Sequence, residues 1–345
     1  MKLRTEGTST MPLLNTPITI KNIKLNNRLV LPPMATARSD PDGQATEQLI
    51  EYYDEKSRGG YIGLVITEHC FVSPEGKASK GQMSVSRHED LPGLKRLAEV
   101  IHKNGVKAFL QISHAGSAAN REVTGCPVLA PSPIRNPRVS SAVPQEMTNE
   151  DIRKVINDFA SASLLVKEAG FDGVEIHSAH GYLLNQFYSP LTNRRTDSYG
   201  PDSVRSRLKL HTDIIPAVRN AVGTDYPIAL RLGACDYMDG GTTLQDSLEA
   251  AQILEQTGID LLDVSGGCCG YIRPGSEDPG YFGEFTEAIR QVVSIPVILT
   301  GGITAPAEAE ALLEAGKADL IGVGRAMLRD SSWAEKALGS DSAGK

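Results

Sequence analysis

The chain has 345 residues, 40% of them hydrophobic, and a formal net charge of −7. That is enough apolar material for a sizeable core and excludes a disordered chain, while the acidic balance argues against a nucleic-acid partner, whose phosphates call for a basic face. No apolar run approaches the roughly 18 residues of a membrane span, and the opening MKLRTEGTST lacks the apolar stretch of a secretory signal.

Five cysteines (Cys70, Cys126, Cys235, Cys268 and Cys269) show no framework spacing. An odd count without a signal peptide leads to the expectation of a reducing, cytoplasmic setting. Residues 1–12 read as a polar extension, 13–338 as the folded unit and 339–345 as a polar tail, with fraying expected after Trp333.

From the N-terminus, eight short apolar runs read as strands: 28–33, 61–67, 106–112, 171–176, 227–233, 260–266, 296–302 and 318–324. Each is nearly continuous in aliphatic residues, as expected for strands buried on both faces. Amphipathic segments lie between them. Leu94, Leu97, Ala98 and Ile101 mark a helix that ends near Gly105. Ile152, Val155, Phe159, Ala162 and Val166 repeat at spacings of three and four, with Thr148 and Asp151 as a capping box and Gly170 as a stop. A third helix covers about 244–257, and Thr304 is placed to cap a fourth that runs to about Ala315. Eight alternations of this kind predict an α/β chain folded as a (β/α)8 TIM barrel. The rival doubly wound sheet lacks its Gly-x-Gly-x-x-Gly fingerprint, because Met327 stands where the third glycine after Gly322 and Gly324 belongs.

In a TIM barrel the chemistry sits at the C-terminal ends of the strands. Those ends carry Pro32-Pro33-Met34-Ala35-Thr36, Glu68-His69-Cys70, Gln111 with His114, the block His177-Ser178-Ala179-His180-Gly181-Tyr182, Arg231, Ser265 to Cys269, Gly301-Gly302 and Gly324-Arg325. The fourth is the most telling. Two imidazoles suit polarising a carbonyl, and a phenol of ordinary pKa near ~10 suits delivering one proton. A His-x-x-His metal half-site is the lesser reading, since no third ligand is near, and no metal is expected. The last two ends suit a phosphate, with glycine N–H groups and the permanent charge of Arg325; tight turns alone are the bland alternative. Arg231 inside an apolar strand reads either as a structural ion pair or as a cation beside an electron-rich ring. Gln111 offers an amide to the same ring. The loop 113–147 is long and follows the third strand, which marks it as functional. Cys268 and Cys269 read as small loop residues unless a lowered pKa makes them reactive.

The segments NRLVLPPM (27–34), LQISHAG (110–116), VLAPSPI (128–134), EIHSAHGYLLNQFYSPLTNRRTDSYG (175–200), ALRLG (229–233), PVILTGGI (296–303) and IGVGRAML (321–328) resemble the Old Yellow Enzyme family over nearly the whole chain. The resemblance implies non-covalent FMN at the mouth of the barrel, with NADPH or NADH as reductant. It implies that Pro32, Pro33, Met34 and Ala35 pass alongside the flavin ring, with His69 near it on the second strand. Gln111 then bonds the pyrimidine edge, Arg231 sits by negative charge on the reduced ring, and Gly301, Gly302, Gly324 and Arg325 hold the phosphate. His177 and His180 hold a substrate carbonyl oxygen and Tyr182 protonates, so that an α,β-unsaturated carbonyl compound is reduced at its C=C bond.

The chain departs from the family pattern at Ala35, where Cys or Thr is frequent, at His69, where a small residue is common, and at Gly200-Pro201, one residue short of a Gly-Gly pair. Cysteine is absent after Cys269, so an iron–sulfur cluster following the barrel is not expected. Two other functions stay open: an oxidative flavin dehydrogenase or demethylase acting on an amine or cyclic ketone, and a barrel that binds a phosphorylated metabolite without flavin. The expected partner is a small enone-type substrate, with no nucleic acid and no membrane. A homo-oligomer is compatible with the sequence, but without residues from 333 onward completing a neighbour's site.

Overall fold

The computed structural model describes residues 11–139 and 142–339. Residues 1–10 of the expected extension and 340–345 of the expected tail lie outside the described residues.

The eight apolar runs form one closed parallel barrel. Its strands are β1 (Leu29–Leu31), β2 (Leu64–Phe71), β3 (Lys107–Ser113), β4 (Gly173–Ser178), β5 (Ile228–Cys235), β6 (Leu261–Gly266), β7 (Val297–Thr300) and β8 (Leu320–Gly322). Each follows its predecessor around the barrel, and β8 closes on β1 through Ile321 opposite Leu29. An α-helix follows each strand, so the chain is the expected (β/α)8 fold. The helix Asn149–Glu168 begins at the expected capping box, where Thr148 Oγ1 accepts from the Asp151 N–H at 3.1 Å, a cap that contributes about 1 kcal/mol.

Side chains alternate along a strand, and in this barrel the alternation sorts the interior into layers. The lower layer is apolar: Val30, Leu64, Phe109, Ala229, Leu261, Ile298 and Leu320. Ile20 and Leu25 close it from below. They come from a hairpin, Ile18–Ile20 paired with Ile23–Leu25. The hairpin is absent from the eight expected strands, although Ile18, Ile20, Ile23 and Leu25 carry its pattern. Two residues further along the strands stand Gln111, Glu175, Arg231 and Asp263, all buried. The barrel therefore changes from oil to charge as it rises, and the chemistry starts at that level.

Two expectations need correction. The segment after Trp333 does not fray at once: Trp333–Leu338 is a helix with Trp333, Ala334 and Leu338 buried. The Trp333 indole explains this, since it packs against the core and donates Nε1–H to the Thr304 carbonyl at 2.7 Å. The fourth expected helix spans Pro306–Glu314 with Ala305, not Thr304, at its cap. The Glu308 carboxylate folds back to the N–H groups of Thr304 and Ala305, at 2.8 and 3.0 Å, and replaces a hydroxyl cap.

Candidate active site

A cavity of 950 Å³ opens over the C-terminal ends of the strands. All fourteen residues expected at the site line it: Pro32, Pro33, Met34, Ala35, His69, Gln111, His177, His180, Tyr182, Arg231, Gly301, Gly302, Gly324 and Arg325.

Register builds its floor. Gln111 on β3 stands opposite Glu175 on β4, and Gln111 Nε2 donates to Glu175 Oε1 at 2.8 Å. Arg231 on β5 stands between His177 on β4 and Asp263 on β6. Arg231 Nε lies 3.0 Å from Asp263 Oδ2, but at an angle too poor for a hydrogen bond, so Nε and both carboxylate oxygens lack one among the described residues. Arg231 is thus ion-paired and still faces the cavity. Burial pushes the Glu175 carboxyl up, and the neighbouring Asp263 pushes it further, against the pull of Arg231. Burial also raises Asp263, opposed by Arg231. Two acids share one cation here, so neutral pH favours one carboxyl keeping its proton.

The catalytic-looking wall is made by one turn. His180 has φ of 58° and Gly181 of 69°. Two successive left-handed residues reverse the chain after β4, at a cost of about 1–2 kcal/mol for the non-glycine one. The helix Leu183–Tyr188 supplies the compensation. Asn185 Oδ1 accepts the Gly181 N–H at 2.7 Å, while Gln186 Nε2 donates to the Gly181 carbonyl at 2.7 Å. Asn136, from the loop after β3, donates to the same carbonyl at 2.8 Å. The turn brings the His177 ring centroid to 5.0 Å from His180 and 4.9 Å from Tyr182.

Electrostatics set the protonation of this wall. Burial holds His177 and His180 well below the usual imidazole range, helped by nearby cationic groups including Arg231 and Arg138. Both rings are neutral at pH 7, and each keeps one N–H to donate. His180 Nε2 is 2.7 Å from Ser265 Oγ, which fixes that ring's orientation. Burial raises the Tyr182 phenol, and Arg138 opposes the rise. Tyr182 is therefore protonated at neutral pH, as a proton donor must be.

The opposite end of the cavity is a cradle of glycines. A Cβ on Gly301 would lie 2.5 Å from the Tyr281 ring, and one on Gly324 would lie 2.7 Å from Met34 Sδ. Neither position has room for a side chain, so bare backbone lines this end of the cavity. The helix after β8, Arg325–Arg329, is only five residues long, so the positive charge at this end is the Arg325 guanidinium rather than a helix dipole.

His69 stands at the expected strand end and also touches the wall. Its ring lines the cavity, and Nε2 lies 2.9 Å from Tyr182 Oη. His114, also at a strand end, does not line the cavity: its Nδ1 accepts the Gly116 N–H at 3.1 Å. Cys268 and Cys269 are not in the lining either. Burial and the Asp236 carboxylate push both thiols up, Cys269 to about 12, which leaves the bland reading. Arg138, Ser265, Tyr271, Tyr281 and Trp333 are among the further residues that line the cavity. Arg138 belongs to the long loop marked as functional, and its Nε donates to the His180 carbonyl at 2.8 Å. Trp333, the one tryptophan of the chain, is the kind of signal that composition does offer.

No helix among the described residues is long and apolar enough to cross a membrane. Among the described residues, no group of three or more His, Cys, Asp or Glu side chains is placed to hold a metal ion.

Residues 13–340 match the NADH:flavin oxidoreductase / NADH oxidase family. The chain belongs to this family. It is 39% identical over 324 residues to an NADH oxidase of Thermoanaerobacter brockii, a match that spans 92% of this chain and 49% of that protein. The chain thus covers about half the length of that relative. It is 40% identical over 319 residues to an NADPH dehydrogenase of Listeria monocytogenes serotype 4a, spanning 92% of each chain. Among solved structures, the Old Yellow Enzyme homologue from Zymomonas mobilis superposes with a TM-score of 0.83 at 25% identity, over 95% of this chain and 93% of that one. The flavin oxidoreductases of this family use FMN with NADH or NADPH, and the Old Yellow Enzyme resemblance seen in the motifs is membership.

Proposed function

We propose that residues 13–338 bind FMN and reduce the C=C bond of α,β-unsaturated carbonyl compounds at the expense of NADPH or NADH. One observation carries this reading. A single cavity holds a glycine and arginine cradle at one end, a Gln111 and Arg231 floor, and a His177, His180 and Tyr182 wall at the other.

The donor set fits FMN. Gly301, Gly302, Gly324 and Arg325 would hold its phosphate, and Pro32 to Ala35 would flank its ring. Gln111 would meet the pyrimidine edge, and Arg231, whose Nε lacks a hydrogen bond, would face negative charge on the reduced ring. When bound, FMN supplies the hydride chemistry that links the nicotinamide to the substrate.

The chain's own part is positioning, polarisation and proton delivery. His177 and His180 donate hydrogen bonds to the substrate's carbonyl oxygen, which becomes more negative as the β-carbon is reduced. Neutral imidazoles do this without a full cation to desolvate. Tyr182 Oη gives its proton to the α-carbon as general acid. Arg138, at the rim, favours the negative charge left on the tyrosine oxygen. Anaerobic NADPH consumption that depends on 2-cyclohexenone, with cyclohexanone as product, supports this function. NADPH consumption unaffected by the enone rules it out.

A further inference from the structure

His69 stands at the C-terminal end of β2, and the fold aims it at Tyr182. Between Thr67 and Cys70 the pairing of β2 with β3 shifts register: Thr67 stands opposite Leu110 and Cys70 opposite Ile112. The extra residue is a bulge, a device that re-aims side chains at barrel rims. Glu68 stays buried, and its carboxylate accepts the Thr36 N–H at 3.2 Å. His69 is turned toward the cavity, with its carbonyl held by Gln82 Nε2 at 3.2 Å.

There the imidazole stacks on the Tyr182 ring, with centroids 5.4 Å apart and planes 14° from parallel. His69 Nε2, at 2.9 Å, is the one hydrogen-bond partner of the Tyr182 hydroxyl among the described residues. Burial pushes the His69 imidazole down to about 4, with Arg138 and Arg231 adding to the effect. The ring is therefore neutral at pH 7 and has a single N–H to give. If that N–H is on Nε2, it occupies a Tyr182 lone pair and leaves the phenol proton free to point at a ligand.

We propose that His69 is the positioning residue of the proton donor: its Nε2–H donates to Tyr182 Oη, turns the phenol proton into the cavity and stabilises the phenolate left after transfer. The inference rests on Tyr182 being the general acid. As the β-carbon receives hydride from reduced flavin, the Tyr182 O–H bond breaks and a C–H bond forms at the α-carbon. The electron pair stays on Oη, which then accepts the His69 hydrogen bond until water returns a proton. His177 from β4, His180 from the turn after it, Arg138 from the loop after β3 and Arg231 from β5 also face this pair, and they stay constant in the test below.

The test compares His69→Leu, which cannot donate, with His69→Gln, whose amide can. Protein labelled with 3-fluorotyrosine, a more acidic phenol, gives a fluorine NMR signal for position 182 that disappears in Tyr182→Phe. The proposal expects the titration of that signal to move up by about one to two pH units in His69→Leu, the worth of one hydrogen bond to a charged group, and to return most of the way in His69→Gln. It also expects enone-driven flavin reoxidation to slow about 10- to 100-fold in His69→Leu and to recover most of that loss in His69→Gln. An unmoved titration in His69→Leu overturns the role of His69 and leaves the ene-reductase reading standing. Unchanged enone reoxidation in Tyr182→Phe overturns the Tyr182 assignment and, with it, this proposal.

Discussion

Arg231 Nε lies 3.0 Å from Asp263 Oδ2, inside a barrel whose next layer down is entirely apolar. The pair is a consequence of register, since Arg231 and Asp263 are direct neighbours on β5 and β6. A buried ion pair adds little net stability, but removing one partner leaves the other charged and unpaired. Arg231→Met is therefore expected to cost about 3–5 kcal/mol, read as a fall in the urea midpoint of flavin-free protein. A loss below about 1 kcal/mol would show that Asp263 already keeps its proton and needs no partner.

Glu175 gives the fold a pH dependence of definite sign. Its carboxyl is raised above the ordinary value of 4.5, chiefly by burial. The folded state then binds more protons than the unfolded state once pH passes 4.5, so stability falls as pH rises from there through the raised pKa. Glu175→Gln is expected to remove this component, so that the stability of wild type relative to the variant falls between about pH 5 and 8 in urea melts. The buried histidines contribute with the opposite sign over an overlapping range. Burial depresses His177, His180 and His211 below 6.5, so their contribution is lost as pH falls below 6.5 toward the depressed pKa values. A difference in stability between wild type and Glu175→Gln that stayed constant from about pH 5 to 8 would contradict the assignment of Glu175.

The oxyanion role of the two imidazoles predicts a ligand effect. Phenolates mimic an enolate oxygen, and a hydrogen bond to a charged group contributes about 1.5–3 kcal/mol. His177→Ala combined with His180→Ala is expected to weaken binding of a phenolate such as 4-hydroxybenzaldehyde at least about 10-fold, measured from its charge-transfer absorbance with the flavin. Unchanged affinity would place the oxyanion site elsewhere.

Much of this architecture was legible in the residues. The eight strands are continuous aliphatic runs, which survive burial on both faces, and the strand-end rule of the barrel then puts His177, Arg231 and Gly301 around one mouth. The hairpin Ile18–Leu25 was not legible as a barrel plug, because a short alternating pattern says nothing of what it covers. Contacts between side chains were also out of reach. The partnership of His69 with Tyr182 depends on a bulge in β2 that spacing does not reveal, and the Glu175 and Asp263 carboxyls matter only because register sets them beside Gln111 and Arg231. The caging of Gly181 by Asn136, Asn185 and Gln186 explains why LLNQ follows the histidine block, a reason visible only once the turn is folded.

Tyr182→Phe separates the two halves of the cycle. Removing a general acid costs about 10²- to 10⁴-fold in the step it serves. Enone-dependent reoxidation is expected to slow by that order, while reduction by NADPH keeps its rate, because hydride transfer from the nicotinamide needs no proton from the phenol. Equal losses in both halves would point to a disturbed cavity instead.

The central claim is the linked flavin cycle, and anaerobic stopped-flow absorbance in the flavin band tests it most directly. Flavin-loaded protein is mixed first with NADPH and then with 2-cyclohexenone. The account predicts bleaching on the first mix and enone-dependent recovery of the yellow band on the second. Bleaching without recovery, or protein that retains no flavin after reconstitution, would contradict it.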